Sequence, residues 1–285
     1  MELIEIACEP PENHDPIVLC IGKFDGVHIG HRKLLNSASE TLESEDRLAV
    51  MSFSPHPIWA LTGNPAYKKS LTPLNEKLRL LEALGVTRFY RVHFTVEYAK
   101  TDVDTFVFEH LTRLNIKRIV VGEGFNFGKP YDSGTDVLTQ YCRQIGVPVT
   151  VVPVAGDDGE KISSTTIRRF VKEGAVDKIP PYLGRSYQLT GTAIHSETEP
   201  NDYILILESE HHDGVDDYIL PDDGVYEMKV EGKLFTSAEN FTPLSAKGCR
   251  VEGREDGYRL IFDRTVTEGF LHRQEIRVSF IRRIE

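Results

Sequence analysis

The chain has 285 residues, enough for two domains that each bury their own core. Its 33 basic and 44 acidic residues give a formal net charge of −11, which argues against broad nucleic-acid or anionic-membrane binding. A phosphate-rich small ligand held by local donors stays open. No apolar run reaches the ~20 residues of a membrane span, Met1 to Glu5 lacks a basic region, and Cys8, Cys20, Cys142 and Cys249 form no C-x-x-C. A cytoplasmic protein with reduced thiols is expected.

Residues 17–154 alternate apolar runs with stretches of helical period. Strands are predicted at Ile17–Ile21, Leu48–Phe53, Phe89–Phe94, Arg118–Val121 and Val147–Val154. Helices are predicted at Leu71–Gly85, with Thr72 as cap and Pro73 in its first turn, and at Asp102–Asn115. Such alternation gives an α/β domain with a parallel sheet, whose ligands sit at the carboxyl ends of the strands.

The stretch Ile21-Gly22-Lys23-Phe24-Asp25-Gly26-Val27-His28-Ile29-Gly30-His31 follows the first of these strands. Leu34, Leu35, Ala38 and Leu42 continue it at helical spacing, so it is a strand-to-helix turn. Gly22, Gly26 and Gly30 allow a tight bend, and the helix start favours an anion. His28 and His31 can offer imidazole N–H groups to that anion. Asp25 reads either as a turn-stabilising residue or as a ligand contact. A zinc site would need further ligands at short spacing, which the chain does not supply near this pair, so no metal ligands are assigned.

Phe53-Ser54-Pro55-His56-Pro57 makes a rigid extended exit from the second strand. Val120-Val121-Gly122-Glu123-Gly124-Phe125-Asn126-Phe127-Gly128 ends a later strand in a glycine-rich turn. Taken alone, either could be purely structural. In Ile162-Ser163-Ser164-Thr165-Thr166-Ile167-Arg168, Ser163 or Ser164 can cap a helix whose early N–H groups and hydroxyls suit an anion. Arg168, one turn in, can grip the same anion bidentately. Its plain alternative is an amphipathic helix with surface arginines.

At Pro180-Pro181-Tyr182-Leu183-Gly184 the pattern changes, and short strands follow at Tyr187–His195, Tyr203–Ser209, Val225–Val230, Tyr258–Phe262 and Glu275–Ile281. In the last, Ile276, Val278 and Phe280 alternate with Arg277 and Ser279. A small all-β barrel of about six strands is the architecture expected there.

The string G-x-F-D-G-V-H-x-G-H, then F-x-P-H-P, then V-G-x-x-F-x-F-G, then I-S-S-T-x-I-R resembles the bacterial FAD synthetases, the adenylyltransferase half of bifunctional riboflavin kinase/FMN adenylyltransferase enzymes. The resemblance covers residues 17 to about 184. It implies a Rossmann-like nucleotidylyltransferase domain at 1–184, followed by a degenerate riboflavin-kinase-like barrel at 185–285. It also implies transfer of AMP from ATP to FMN, giving FAD and pyrophosphate, with Mg²⁺ on the phosphates. His28 and His31 then serve the ATP phosphates and the transition state, and Ser164, Thr165 and Arg168 the leaving phosphates. Gly22, Phe24, Asp25, Gly26, Gly30 and Ser163 shape or line the nucleotide site. Phe53, Pro55 and His56 form the flavin side, and Gly122 and Asn126 join the ligand-binding set. The family usually has Asp or Asn where this chain has Gly124.

The later half keeps echoes of the kinase in Leu183–Tyr187, Leu220–Tyr226 and Arg277–Arg282. Where the kinase has a G-x-P-T-A-N-like segment, this chain has His195-Ser196-Glu197-Thr198-Glu199-Pro200-Asn201, with two acids and no glycine. Kinase activity is therefore expected to be absent. A non-catalytic flavin- or nucleotide-binding regulator is the alternative function. A different small-molecule adenylyltransferase would share H-x-G-H without the second and fourth motifs together. Nucleic acid and membrane are not expected partners, and a homo-oligomer is left open.

Overall fold

A computed structural model of the chain describes residues 1–128, 133–153, 162–195, 202–207, 215–233, 241–244, 249–254, 257–262 and 274–284. The chain packs as two compact units, Met1–Ile162 and Ser163–Glu285.

The first unit runs β1 (Glu2–Ile6), β2 (Asn13–Ile21), α1 (Ile29–Ser39), β3 (Arg47–Ser54), α2 (Pro57–Thr62), α3 (Leu74–Glu82), β4 (Arg88–His93), β5 (Leu114–Gly122), α4 (Thr135–Gln144) and β6 (Val149–Val152). The strands form one parallel sheet in the order β1-β4-β3-β2-β5-β6. Side chains of successive strand residues point to opposite faces, and here both faces are covered. Ile17, Leu19 and Ile21 of β2 enter one apolar cluster with Ile119 and Val121 of β5. Val18 and Cys20 enter the other, with Leu34, Leu35 and Ala38 of α1. That double burial is why residues 17–21 of β2, 48–51 of β3 and 119–121 of β5 stand out as continuous apolar runs. The strand order reverses about β2, with β3 and β4 on one side and β5 and β6 on the other. Such a reversal opens a crevice beyond the carboxyl ends of β2 and β5.

Several expectations need correction. Helix α3 begins at Leu74, with Pro73 at its cap position and no side-chain cap bond, so Thr72 does not cap it. Pro73 favours an extended Thr72, and the Thr72 hydroxyl accepts the Gly26 N–H instead, at 3.0 Å. The expected helix Asp102–Asn115 is a π-helical turn over Thr105–His110 and a 3₁₀ turn over Leu111–Arg113; Leu114 and Asn115 already belong to β5. Edge strand β1 was not expected, because Glu2–Ile6 buries only Ile6 and pairs along one side. Val154, at the end of the expected fifth strand, lies outside the described residues.

The second unit begins with α5 (Ser164–Lys172) and α6 (Pro180–Leu183). Seven strands follow: β7 (Tyr187–His195), β8 (Asp202–Leu207), β9 (Gly224–Lys233), β10 (Phe241–Leu244), β11 (Cys249–Arg254), β12 (Gly257–Phe262) and β13 (Gln274–Arg283). They pair antiparallel in the order β10-β9-β11-β12-β8-β7-β13, and β13 pairs with β9 as well as β7. Ile276, Val278 and Phe280 of β13 are buried as the alternation requires, and Ser279 on the other face is buried too, bonded by Gln188 at 3.0 Å. Strands β10 and β11 were not expected. Residues Ser196 to Asn201, which carry the argument on kinase activity, lie outside the described residues.

Candidate functional site

The turn from β2 to α1 is held by long-range bonds. Gly22 N–H donates to the Met51 carbonyl at 3.1 Å and Ser52 Oγ to the Lys23 carbonyl at 2.8 Å, fastening its start to β3. Asp25 is 4% exposed, and its Oδ1 accepts the Leu71 N–H at 2.8 Å. Next to it lies the Gly26–Thr72 bond already described. One carboxylate and one hydroxyl thus lock the bend to residues 71 and 72. Phe24 at φ 50° and Val27 at φ 43° occupy the left-handed region that side chains disfavour, most of all a β-branched one. Each such residue costs roughly 1–3 kcal/mol and persists only where its surroundings over-determine it. Full burial of both side chains supplies that constraint.

The two histidines cap the helix and each other. His28 Nδ1 accepts the His31 N–H, and His31 Nδ1 accepts the His28 N–H, both at 3.3 Å. Their rings stack with centroids 3.7 Å apart and 17° between planes, and Phe24 stacks on His31 at 4.8 Å. An Nδ1 that accepts cannot carry a proton, so each neutral ring carries its hydrogen on Nε2. Burial holds the His31 pKa well below the ordinary histidine value, and the charges of Lys77 and Lys23, with any proton taken up by His28, push it further down. The arrangement therefore yields a pair of neutral Nε2–H donors in fixed relation. Beside them, the first-turn N–H groups of Ile29 and Gly30 fall outside the intrahelical ladder.

Beyond β3, His56 caps α2 in the same manner, its Nδ1 accepting the Ile58 N–H at 3.1 Å. It is 8% exposed and packs on Tyr67, with ring centroids 4.7 Å apart. Phe53 meets Phe94 edge-on at 5.8 Å, and Arg91 donates to Ser54 Oγ at 3.0 Å. Beyond β5, the Gly122 carbonyl accepts the Phe125 N–H at 2.9 Å, closing a tight turn. Phe125 and Phe127 stack at 5.8 Å, Phe127 enters the core, and Gly124 and Asn126 are exposed. A Cβ on Gly128 would come within 2.8 Å of Val103, so that turn must carry glycine.

In the second unit Ser163 is the residue that caps α5. Its Oγ accepts the Thr166 N–H at 3.3 Å and lies 3.1 Å from Thr166 Oγ1. Ser164 and Thr165 occupy the first turn, where backbone N–H groups have no intrahelical acceptor. Ser164 is half-buried, Thr165 exposed, and Arg168 is 5% exposed on the buried side of the helix.

The sequence reading missed Leu71, Thr72 and Lys77. Thr72 and the Leu71 amide brace the turn, and Lys77, buried on α3, adds its charge to the field at His31. The available signal was a lysine inside the apolar stripe, at helical spacing between Leu74 and Leu81. Among the described residues, no three His, Cys, Asp or Glu side chains gather as a metal site, and no helix is long and apolar enough to cross a membrane.

A family model described as FAD synthetase matches residues 10–166. The chain is 41% identical over 227 residues to an FAD synthetase of Listeria monocytogenes, covering 80% of this chain and 87% of that protein. It is 32% identical over 246 residues to a bifunctional riboflavin kinase/FMN adenylyltransferase of the same organism, covering 84% and 74%. A Streptococcus pneumoniae structure described as a macrolide-efflux protein aligns over 99% of this chain and 100% of its own, with a TM-score of 0.78 and 23% identity. At that identity the likeness is one of fold.

Proposed function

The chain belongs to the FAD synthetase family, and from that premise we propose how its residues carry out FMN adenylyltransfer. The reaction moves AMP from ATP to FMN, giving FAD and pyrophosphate. An oxygen of the FMN phosphate forms a bond to the α-phosphorus of ATP as the bond to the β-phosphate oxygen breaks. The electron pair leaves on pyrophosphate. A phosphate monoester has its second pKa near ~6, so FMN is already an anionic nucleophile at neutral pH and needs no strong base. What remains is to position two anions in line and stabilise charge on the α-phosphoryl oxygens.

The observation that carries this reading is the reciprocal capping of His28 and His31. It fixes the tautomer of both rings and aligns two neutral donors, which can serve an anion without themselves changing charge. Gly22, Phe24, Gly26 and Gly30 shape the turn, and Asp25 acts as its brace through Leu71. Ser164, Thr165 and Arg168 take the leaving β- and γ-phosphates, with Ser163 holding the helix start. Phe53, Pro55 and His56 serve the flavin side, and Gly122 and Asn126 belong to the ligand-binding set. The donors assembled here suit anions rather than a cation. A divalent ion, Mg²⁺ in this reading, would therefore come with the nucleotide phosphates and would supply charge neutralisation there.

We assign 1–184 to the adenylyltransferase module and 185–285 to a kinase-like barrel, supported by the pairing of β13 with both β7 and β9. The barrel lacks riboflavin kinase activity in this reading, because residues 195–201 carry two acids and no glycine where the kinase has its G-x-P-T-A-N-like segment. The enzyme works in the cytoplasm. Incubation with FMN and ATP-Mg²⁺ should yield FAD and pyrophosphate, with His28→Ala as the control. Incubation with riboflavin and ATP-Mg²⁺ should yield no FMN. The presence of Gly124, where the family usually has Asp or Asn, favours the second reading: a regulator that binds flavin or ATP without turning over. Binding without FAD formation would select it.

A further inference from the structure

Helix α5 is secured at the end opposite its phosphate-binding residues. It closes in a paired turn: Ala175 N–H donates to the Phe170 carbonyl at 2.9 Å and Gly174 N–H to the Val171 carbonyl at 3.0 Å. Gly174 takes φ +67°, as that turn requires. The site also has no room for a side chain. A Cβ built on Gly174 would lie 2.6 Å from Tyr226 Oη and 2.8 Å from Arg283 Nη1.

Both of those groups are fixed by the antiparallel sheet. Tyr226 of β9 is fully buried, its hydroxyl donating to the Asp222 carbonyl at 2.6 Å and its ring meeting Phe280 edge-on. Arg283 stands opposite it in register on β13, its guanidinium donating to the Asp223 carbonyl at 2.8 Å and lying 5.9 Å from the Tyr226 ring centroid. Val176 and Ile179, just past the turn, are wholly buried.

We propose that Tyr226 and Arg283, acting through the turn at Gly174, are positioning residues that set where Ser164, Thr165 and Arg168 stand. This rests on the reading of α5 as the helix that holds the leaving phosphates. A helix of nine residues moves as one body. Arg168 lies six residues from Gly174, a rise of about 9 Å along the axis at 1.5 Å per residue. A tilt at the tail therefore displaces the guanidinium, and a misplacement near 1 Å can cost about 10²-fold in rate. The second sheet thereby gains a role that needs no kinase chemistry: it sets the grip on pyrophosphate.

The test uses the full chain in both directions, FMN with ATP-Mg²⁺ and FAD with pyrophosphate. Gly174→Ala should raise KM for ATP and for pyrophosphate by about tenfold and leave KM for FMN within about twofold. Adding Tyr226→Phe removes the oxygen that the new methyl meets and should restore much of the loss. Arg283→Ala, at a partly exposed position, should raise KM for pyrophosphate by about threefold while thermal melting changes little. Folded Gly174→Ala with unaltered KM for ATP and pyrophosphate overturns the proposal. If Gly174→Ala does not fold, the Tyr226→Phe/Arg283→Ala double variant decides: unchanged KM for pyrophosphate refutes, a several-fold rise supports. Arg168→Ala separates the parent reading, because an unchanged KM for pyrophosphate in that variant removes α5 from the phosphate site altogether.

Discussion

Helix α1 is held at its mouth and helix α5 at its tail. The first turn of α1 is tied to β3 through Gly22 and Ser52, and to residues 71 and 72 through Asp25 and Gly26. Its cap is a pair of imidazoles that bond each other's backbone. The first turn of α5 has an ordinary serine cap, and its long-range packing includes the Gly174 turn pressed on Tyr226 and Arg283. The difference separates two ways of placing donors. At α1 the donors are themselves part of the framework, so stability and rate change together. In the proposed reading the donors at α5 ride on a lever, so substrate affinity can change while the fold stays intact.

The largest effect should come from His28. Replacement by Ala removes a donor and a cap together, and loss of one positioned donor of this kind costs about 10²–10³ in kcat. His28→Asn sharpens the comparison, since asparagine is a good cap but its amide is shorter than imidazole. We expect melting close to that of the parent protein with kcat still down by about 10²-fold. Near-normal turnover in His28→Asn would mean that the histidine is there for the helix alone.

Next in size is Asp25, where the comparison predicts a stability effect. Asp25→Ala leaves the buried Leu71 N–H without its acceptor, a loss of about 1–3 kcal/mol by chemical denaturation. Asp25→Asn keeps an acceptor oxygen and should lose much less. If Asp25→Asn melts normally but fails in FAD synthesis, the carboxylate contacts the ligand and the brace is secondary.

Much of the first unit was readable because chemistry and periodicity coincide there. Strands β2, β3 and β5 are buried on both faces along residues 17–21, 48–51 and 119–121, so those stretches appear as continuous apolar runs. The Gly22–His31 turn carries residue types that few other structures require together. What escaped was relational. Thr72 looks like a helix cap beside Pro73, and nothing local shows that its hydroxyl is bonded to Gly26, 46 residues away. Strand β1 exposes most of its residues, and β10 contains Pro243, so neither shows an alternating apolar face. Gly174 reads as an ordinary helix stop. Only the packing shows that its missing side chain is a requirement of β9 and β13.

A smaller effect is the response to acid at α1. Because the folded pKa of His31 is depressed, the unfolded chain takes up a proton near the ordinary value of about 6.5 while the folded chain does not. Below that pH the unfolded state binds more protons, so stability is full above about 6.5 and declines as pH falls toward the folded pKa. Melting curves between about pH 7.5 and about pH 5.5 should show this decline in the parent protein and less of it in His31→Asn. An equal slope in both would assign the decline to other groups.

The smallest effect should lie at the mouth of α5. Ser163→Ala removes the acceptor for the Thr166 N–H, a cap worth about 1 kcal/mol. If the tail sets the helix, this loss frays the first turn without tilting the axis. KM for pyrophosphate should then rise less than in Gly174→Ala, even where Ser163→Ala lowers the melting temperature by as much. The reverse ranking would locate the positioning of Arg168 in its cap and reduce the contrast between the two helices to one of residue type.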